Sequence, residues 1–261
     1  MSESNHPLQL DLSNRVAVVT GGAGELGRAI SRTLARCGAA VAIHYFNSRE
    51  AAQALREEII SAGGHAATVQ ADITKPESIE QMRAVVVREL GDADIIVNNA
   101  VTQYAWTSVL EQSFADYESQ FRSCVLQNVA MAKTFVPPMI KKRWGRIIAT
   151  NTECSMQNAP NQSAYVSGKR GMDGLLRVLA REIGEHQITV NQVAPGWMIS
   201  DKYRTPSGVE RQEGYERNVP LRRRGEDQDI ANAVAFLASN LANFITGVYL
   251  PVCGGNVMPA I

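Results

Sequence analysis

The chain has no run approaching the about 18 uncharged apolar residues that a membrane-spanning helix needs, and no block of like charge. Its 26 Lys and Arg balance 26 Asp and Glu. That balance provides no electrostatic grip on nucleic acid or anionic lipid. Cysteine is scarce: Cys37, Cys124, Cys154 and Cys253 lie far apart without the paired spacing of a zinc site. Isolated reduced thiols are therefore expected, with no disulfide framework and no metal. Met1 to Arg15 is polar and holds no apolar core of signal-peptide length. The expectation is a cytoplasmic protein whose partners are small molecules and further copies of itself, with no nucleic-acid or membrane partner.

Against those absences stand 261 residues with 45% apolar content, enough to bury one full core and not so many as to require two. Short apolar runs alternate with helical stretches. Val16 to Val19 leads to Leu26, Ile30 and Leu34 at four-residue spacing, which predicts strand, turn and helix. Val41 to Tyr45 and Ala66 to Gln70 predict further strands, with a helix carrying Ala52, Leu55 and Ile59 between them. Ile79, Met82, Val86 and Leu90 mark the next helix, Ile95 to Val97 a buried strand, Ala115 to Lys142 one long helix, and Arg146 to Ala149 a strand. Helix Ser163 to Gly184, strand Ile188 to Val193, helix Asp229 to Ser239 and strand Val248 to Val252 follow. This alternation predicts an α/β doubly wound parallel sheet in three layers, α/β/α, as a single domain over 1–261. Residues 197–222, polar and aromatic, are the expected substrate lid.

Thr20-Gly21-Gly22-Ala23-Gly24-Glu25-Leu26-Gly27 joins the first strand to the first helix. Backbone N–H groups and the helix dipole favour a pyrophosphate there, and Gly22, Gly24 and Gly27 have the dinucleotide spacing of a Rossmann-type fold. Gly21, Gly24, Glu25, Leu26 and Gly27 are thus cofactor-binding candidates. Asp72, with Ile73 beside it, follows the third strand and is placed either to accept from an adenine amino group or to act as a local cap.

Four motifs in order then make the chain resemble the short-chain dehydrogenase/reductase family over nearly its whole length. They are the glycine loop, Asn98-Asn99-Ala100, Tyr165-Val166-Ser167-Gly168-Lys169 and Pro195-Gly196. The resemblance, particularly to 3-oxoacyl thioester reductases, implies hydride transfer between a nicotinamide dinucleotide and a carbonyl or hydroxyl substrate, and a homo-oligomer, dimer or tetramer. It implies that Tyr165 gives a proton to the carbonyl oxygen and that Lys169 holds the nicotinamide ribose. Asn99, Ala100, Pro195 and Gly196 then line the cofactor path, and Ser200 holds the carboxamide. Tyr165 and Lys169, four apart on a predicted helix, share a face, and a nearby ammonium is expected to lower the phenol pKa. Thr152, thirteen positions before the tyrosine, replaces the family serine that polarises the carbonyl; a capping hydroxyl is the alternative.

At the end of the second strand an acidic residue would select NAD, and this chain has Tyr45 followed by Phe46-Asn47-Ser48-Arg49. Tyr45, Asn47 and Ser48 are expected around the adenosine ribose. Neutral donors and a cation favour NADP(H), with NAD(H) the alternative; Ser48 can also cap the next helix.

Several positions depart from the family. Cys124 stands where relatives have a helix asparagine that anchors a water leading to the lysine, and a thiol does this poorly; small buried packing is the other reading. Asn128 lies one turn later, about 6 Å along the axis, too far to substitute without a local shift. Glu25, Val101 and Cys253 replace the middle glycine, an open backbone position and an aspartate. These changes keep a second reading in view, a dinucleotide-binding sensor or scaffold with weakened chemistry.

Overall fold

A computed structural model describes residues 10–205 and 208–259; Met1 to Gln9 of the polar start, and Pro206 and Ser207 of the expected lid, lie outside the described residues. The first half of the chain winds as β1 (Val16–Val19), α1 (Glu25–Arg36), β2 (Ala40–Tyr45), α2 (Arg49–Ser61), β3 (His65–Gln70), α3 (Pro76–Glu89) and β4 (Ile95–Asn98). Then come α4 (Phe114–Gln120), a π-helical segment (Phe121–Leu126), α5 (Gln127–Lys142), β5 (Gly145–Thr150), α6 (Cys154–Gln157), α7 (Ser163–Ile183) and β6 (Ile188–Pro195). A small antiparallel pair, β7 (Arg204–Thr205) and β8 (Gly208–Val209), precedes α8 (Glu213–Glu216), α9 (Asp227–Ala238) and β9 (Tyr249–Val252).

The large sheet is parallel throughout, in the order β3-β2-β1-β4-β5-β6-β9. β1 and β4 are buried along their whole length, which is why their sequences read as unbroken apolar runs and not as alternation. Ile30, Leu34, Ile230 and Val234 cover one face from α1 and α9, while Met82, Met131, Phe135 and Leu176 cover the other from α3, α5 and α7. The expected three-layer architecture is thus the observed one. Strand order reverses between β1 and β4, and a sheet of this kind opens a ligand crevice beyond the carboxyl ends at that switch point.

One expectation is corrected. The single helix over Ala115 to Lys142 is instead α4, the π segment and α5. The wider π turn leaves carbonyls without their usual helical donors, and a buried amide takes one up. With its oxygen accepting from Thr20 Oγ1, Gln127 donates to Ser123 O at 2.6 Å and Ala100 O at 3.0 Å, locking the segment to the ends of β1 and β4. The segment expected as the lid holds β7, β8 and α8. Arg224, just beyond it and 2% exposed, braces it by donating to Met198 O (2.7 Å), Trp197 O (3.2 Å) and Glu210 O (3.2 Å), with its guanidinium 4.3 Å from the Tyr203 ring centre.

The turn between β1 and α1 is the tightest point of the fold. Gly21 has φ +61°, and a Cβ on Gly27 would stand 2.0 Å from Gly21 O and 2.9 Å from Gly22 Cα, both backbone atoms that cannot yield cheaply. Gly27→Ala is therefore expected to lower stability by about 2 kcal/mol or more and to abolish dinucleotide binding. Gly174→Ala on α7, where an added Cβ meets nothing within 4 Å, is expected to stabilise by about 0.5–1 kcal/mol. Thermal melting of both variants checks this; equal effects would contradict it.

Candidate active site

A cleft of about 940 Å³ opens at the carboxyl ends of the strands. Gly21, Gly24, Glu25 and Leu26 form one wall, Asp72 and Ile73 another, and Asn99, Ala100, Pro195 and Gly196 line its course. No side chain caps α1, so its first-turn N–H groups remain for a ligand where Gly24 to Leu26 line the cleft. Size, the uncapped helix and the glycine surface fit an extended dinucleotide.

Five expected cofactor residues are placed differently. Gly27 serves the backbone packing beneath the loop and is not a wall. Tyr45 is 9% exposed and packs into the core, because β2 presents its last residue inward; Phe46, 53% exposed, lines the cleft in its stead. Asn47 and Ser48 are exposed just beyond the wall, and the Ser48 side chain makes no capping bond to α2. Ser200 is buried at the base of the lid and does not line the cleft.

Two acidic side chains line the cleft beside the glycine loop and β3. Asp72 takes the local capping role, its Oδ1 accepting from Thr74 N (3.0 Å) and Thr74 Oγ1 (2.7 Å), and it also lines the cleft. Burial alone would raise its pKa, but the bonds from Thr74 and Lys75 outweigh burial and hold it below the ordinary carboxylate value. Glu25 turns toward the lid, its Oε2 accepting from Lys202 N at 3.4 Å and its Oε1 lying 3.9 Å from Arg28 Nη2, while Arg28 pairs with Asp201 at 3.2 Å. The charge at position 25 is thus engaged by the lid backbone and a guanidinium.

His44 was not anticipated. Its ring is buried between the glycine loop and the end of β3, with Nδ1 accepting from Gly21 N at 2.9 Å and Nε2 donating to Ala71 O at 3.0 Å. Those partners require the neutral Nε2–H tautomer. The available signal was one polar residue inside the apolar run of β2, since a buried polar group must find partners.

At the reacting end, Lys169 is 3% exposed, donates from Nζ to Thr150 O at 2.6 Å and lies 5.6 Å from the centre of the Tyr165 ring. Burial pushes its pKa down, with a small opposing pull from Cys124. Tyr165 goes the other way. Burial pushes its phenol above the ordinary value, Cys154 and Cys124 add to that, and a side-chain hydrogen bond with Thr152 opposes it. The expected lowering of the phenol by Lys169 is therefore corrected: desolvation dominates, and the phenol stays protonated near neutrality. Trp106 stacks on its ring at 5.8 Å and 26°.

Thr152 lines the cleft, and its Oγ1 accepts from Cys154 N at 3.2 Å. The capping reading thus holds for the lone pair, and the same hydroxyl also hydrogen-bonds the Tyr165 phenol. Cys124 is corrected more strongly. It is buried and lines no cavity wall described here; its Sγ lies 3.9 Å from Gln120 Oε1, and the Cβ position of Gly168 falls 3.3 Å from it. It packs behind α7 and touches none of the reacting groups' polar atoms. Asn128 is committed elsewhere, donating to Cys124 O at 2.7 Å and accepting from Asn98 Nδ2 at 2.6 Å.

A second cavity of about 480 Å³ meets the cleft at Thr152, Tyr165 and Gly196. Tyr104, Trp106, Trp197, Tyr203 and Tyr215 give it aromatic walls, and Glu153, Cys154, Gln157 and Gln162 line it as well. One cavity fits a dinucleotide, the other an organic substrate, and a protonated phenol with a hydroxyl donor stands where they join. That arrangement defines an oxidoreductase that moves hydride between a nicotinamide cofactor and a carbonyl or hydroxyl group.

Comparison with known proteins gives the family: the chain belongs to the short-chain dehydrogenases/reductases, residues 21–256 matching the family model described as enoyl-(acyl carrier protein) reductase. It is 37% identical over 244 residues to the 3-oxoacyl-[acyl-carrier-protein] reductase FabG of Staphylococcus aureus, covering 93% of this chain and 98% of that one. To the Escherichia coli FabG it is 36% identical over 259 residues, 95% and 100% of the two chains. Among solved structures, a 7α-hydroxysteroid dehydrogenase complexed with NADH and 7-oxo glycochenodeoxycholic acid superposes with a TM-score of 0.86 at 30% identity, over 96% of this chain and 97% of that one.

Burial lowers the His44 pKa below its ordinary 6.5, with the Ala71 bond and Asp72 opposing. The folded state then binds this proton less readily than the unfolded chain, so the residue costs nothing above about pH 6.5 and destabilises the fold as pH falls below it. Protonation would also set an N–H against the Gly21 N–H. His44→Gln is expected to show a smaller loss of Tm than wild type between about pH 7 and 5; parallel melting-temperature profiles for the two proteins would contradict the assignment.

Proposed function

We propose that the protein is an NADPH-preferring ketoreductase whose working direction is reduction, with 3-oxoacyl thioesters as the first substrate class to test. The observation that carries the chemistry is the placement of the Tyr165 phenol, which burial keeps protonated, beside the Thr152 hydroxyl at the junction of the two cavities. The dinucleotide, when bound, supplies hydride. The chain supplies the rest. Thr152 donates to the substrate oxygen and polarises it, and Tyr165 delivers its proton to the same oxygen as charge develops there. Lys169, held on Thr150 O, offers its remaining N–H groups to the cofactor ribose and favours phenolate once the proton has left. Trp106 keeps the phenol ring in place from the substrate side. Two acyl-thioester reductases among the relatives support the substrate class. The family resemblance supports a homo-oligomer working in the cytoplasm.

Cofactor choice rests on the tip of β2. No carboxylate faces the cleft there; Phe46 lines it, and the exposed Asn47, Ser48 and Arg49 lead into the start of α2, whose N-terminal dipole favours an anion such as a 2′-phosphate. NADPH is expected to bind at least tenfold more tightly than NADH, about 1.4 kcal/mol, by calorimetric titration. Phe46→Asp, which puts a carboxylate on the wall without burying it, is expected to reverse the preference. Equal affinities in wild type, or an unchanged ratio in the variant, would overturn the assignment.

A further inference from the structure

Glu153, next to Thr152, is 3% exposed, and the proton-transfer chemistry makes no use of it. A buried carboxylate without partners is costly, so its contacts define its purpose. Oε1 accepts from Tyr215 OH at 2.8 Å, and Oε2 accepts from Asn256 Nδ2 at 3.0 Å. Its own N–H donates to Pro195 O at 2.9 Å, fixing the residue to the end of β6. Burial pushes its pKa up, while Tyr215, Asn256 and Gln157 oppose that rise.

These bonds reach three segments far apart in sequence: the end of β6, α8 of the lid, and the turn after β9. The lid contact continues one step further. Tyr215 OH also accepts from Trp197 N at 2.9 Å, and the two rings meet edge to face at 5.6 Å and 71°. Gly196 permits this approach, since a Cβ there would lie 2.6 Å from the Tyr215 hydroxyl. Tyr215 and Trp197 are walls of the second cavity, on the lid side of Tyr165. Asn256, bonded to the other Glu153 oxygen, also has a side-chain hydrogen bond with the Tyr215 hydroxyl.

We propose that Glu153 is a positioning residue that holds the Tyr215–Trp197 wall of the carbonyl cavity in place, and so sets the affinity for the carbonyl substrate without taking part in proton transfer. This rests on the second cavity being the substrate site. The role needs a hydrogen-bonding group at each of the two terminal atoms of the side chain more than it needs charge. Glutamine retains an acceptor for Tyr215, and Asn256 can turn its amide oxygen to the new NH₂ group. Alanine removes both contacts, and Tyr215→Phe removes the hydroxyl while keeping the ring.

Two measurements on the full chain with NADPH test this. Hydrogen exchange followed by mass spectrometry is expected to rise at least fivefold in peptides covering Trp197–Tyr203 and Gln212–Arg217 for Glu153→Ala and for Tyr215→Phe. Peptides from β1 to β4 are expected to stay unchanged, and Glu153→Gln to remain within twofold of wild type everywhere. With a ketone that wild type reduces, both disrupting variants are expected to raise KM at least fivefold while kcat and NADPH affinity stay within twofold. Unchanged lid exchange in the disrupting variants, a fall in kcat at constant KM, or Glu153→Gln as damaging as alanine would overturn the proposal. Should Glu153→Ala fail to fold, Tyr215→Phe decides alone. Should no ketone be reduced, the reductase reading fails and lid exchange still decides the role of Glu153.

Discussion

An ammonium group held almost out of water, with one backbone carbonyl as its hydrogen-bond acceptor among the described residues, is the constraint around which this molecule is organised. Lys169 Nζ lies 2.6 Å from Thr150 O, at the carboxyl end of the middle of the sheet. A buried cation carries a penalty of several kcal/mol unless it is well partnered. α7 must therefore sit in one register against β5, with Tyr165 one turn before the lysine. Gly168 gives α7 the close approach that this requires, since Gln120 O and the Cys124 side chain occupy the space a Cβ would need. The π segment and Cys124 then read as packing that supports the lysine from behind, and a buried nearby thiol is a modest electrostatic neighbour compared with desolvation.

The same logic repeats at the dinucleotide end with neutral groups. Thr20 Oγ1 accepts from Asn99 N at 2.9 Å and Ala100 N at 3.0 Å, tying the loops after β1 and β4 at the switch point. His44 ties the glycine loop to the end of β3, and Gln127 ties the π segment to both. Each is a buried polar side chain whose partners come from a different strand, so the crevice is shaped by satisfied hydrogen bonds more than by apolar contact. The lid joins that network through Glu25 at one end and Glu153 at the other.

Much of this was legible in the sequence where chemistry depends on local spacing. The glycine loop, the Tyr165–Lys169 pair and Thr152 are short-range patterns, and each stands where the pattern places it. What eluded the sequence depends on contacts between distant segments or on side-chain direction. Tyr45 and Phe46 exchange roles because the last residue of β2 points into the core, a parity that a strand boundary uncertain by one residue cannot fix. The long helix concealed its π segment because Gln127 and its partner Thr20 are 107 residues apart and its partner Ala100 lies outside the helix altogether. The phenol pKa was misjudged because four-residue spacing reports proximity to a charge but not the depth of burial, and burial is the larger effect here.

The central claim is that Tyr165 delivers the proton at the junction of the two cavities. Tyr165→Phe keeps the ring against Trp106 and removes only the hydroxyl. Single-turnover reduction of a 3-oxoacyl thioester by bound NADPH measures the chemical step directly. The account predicts a rate lower by about 10²–10⁴ with NADPH affinity unchanged. A variant that retains more than about a tenth of the wild-type rate would contradict it and move the proton donor to another group.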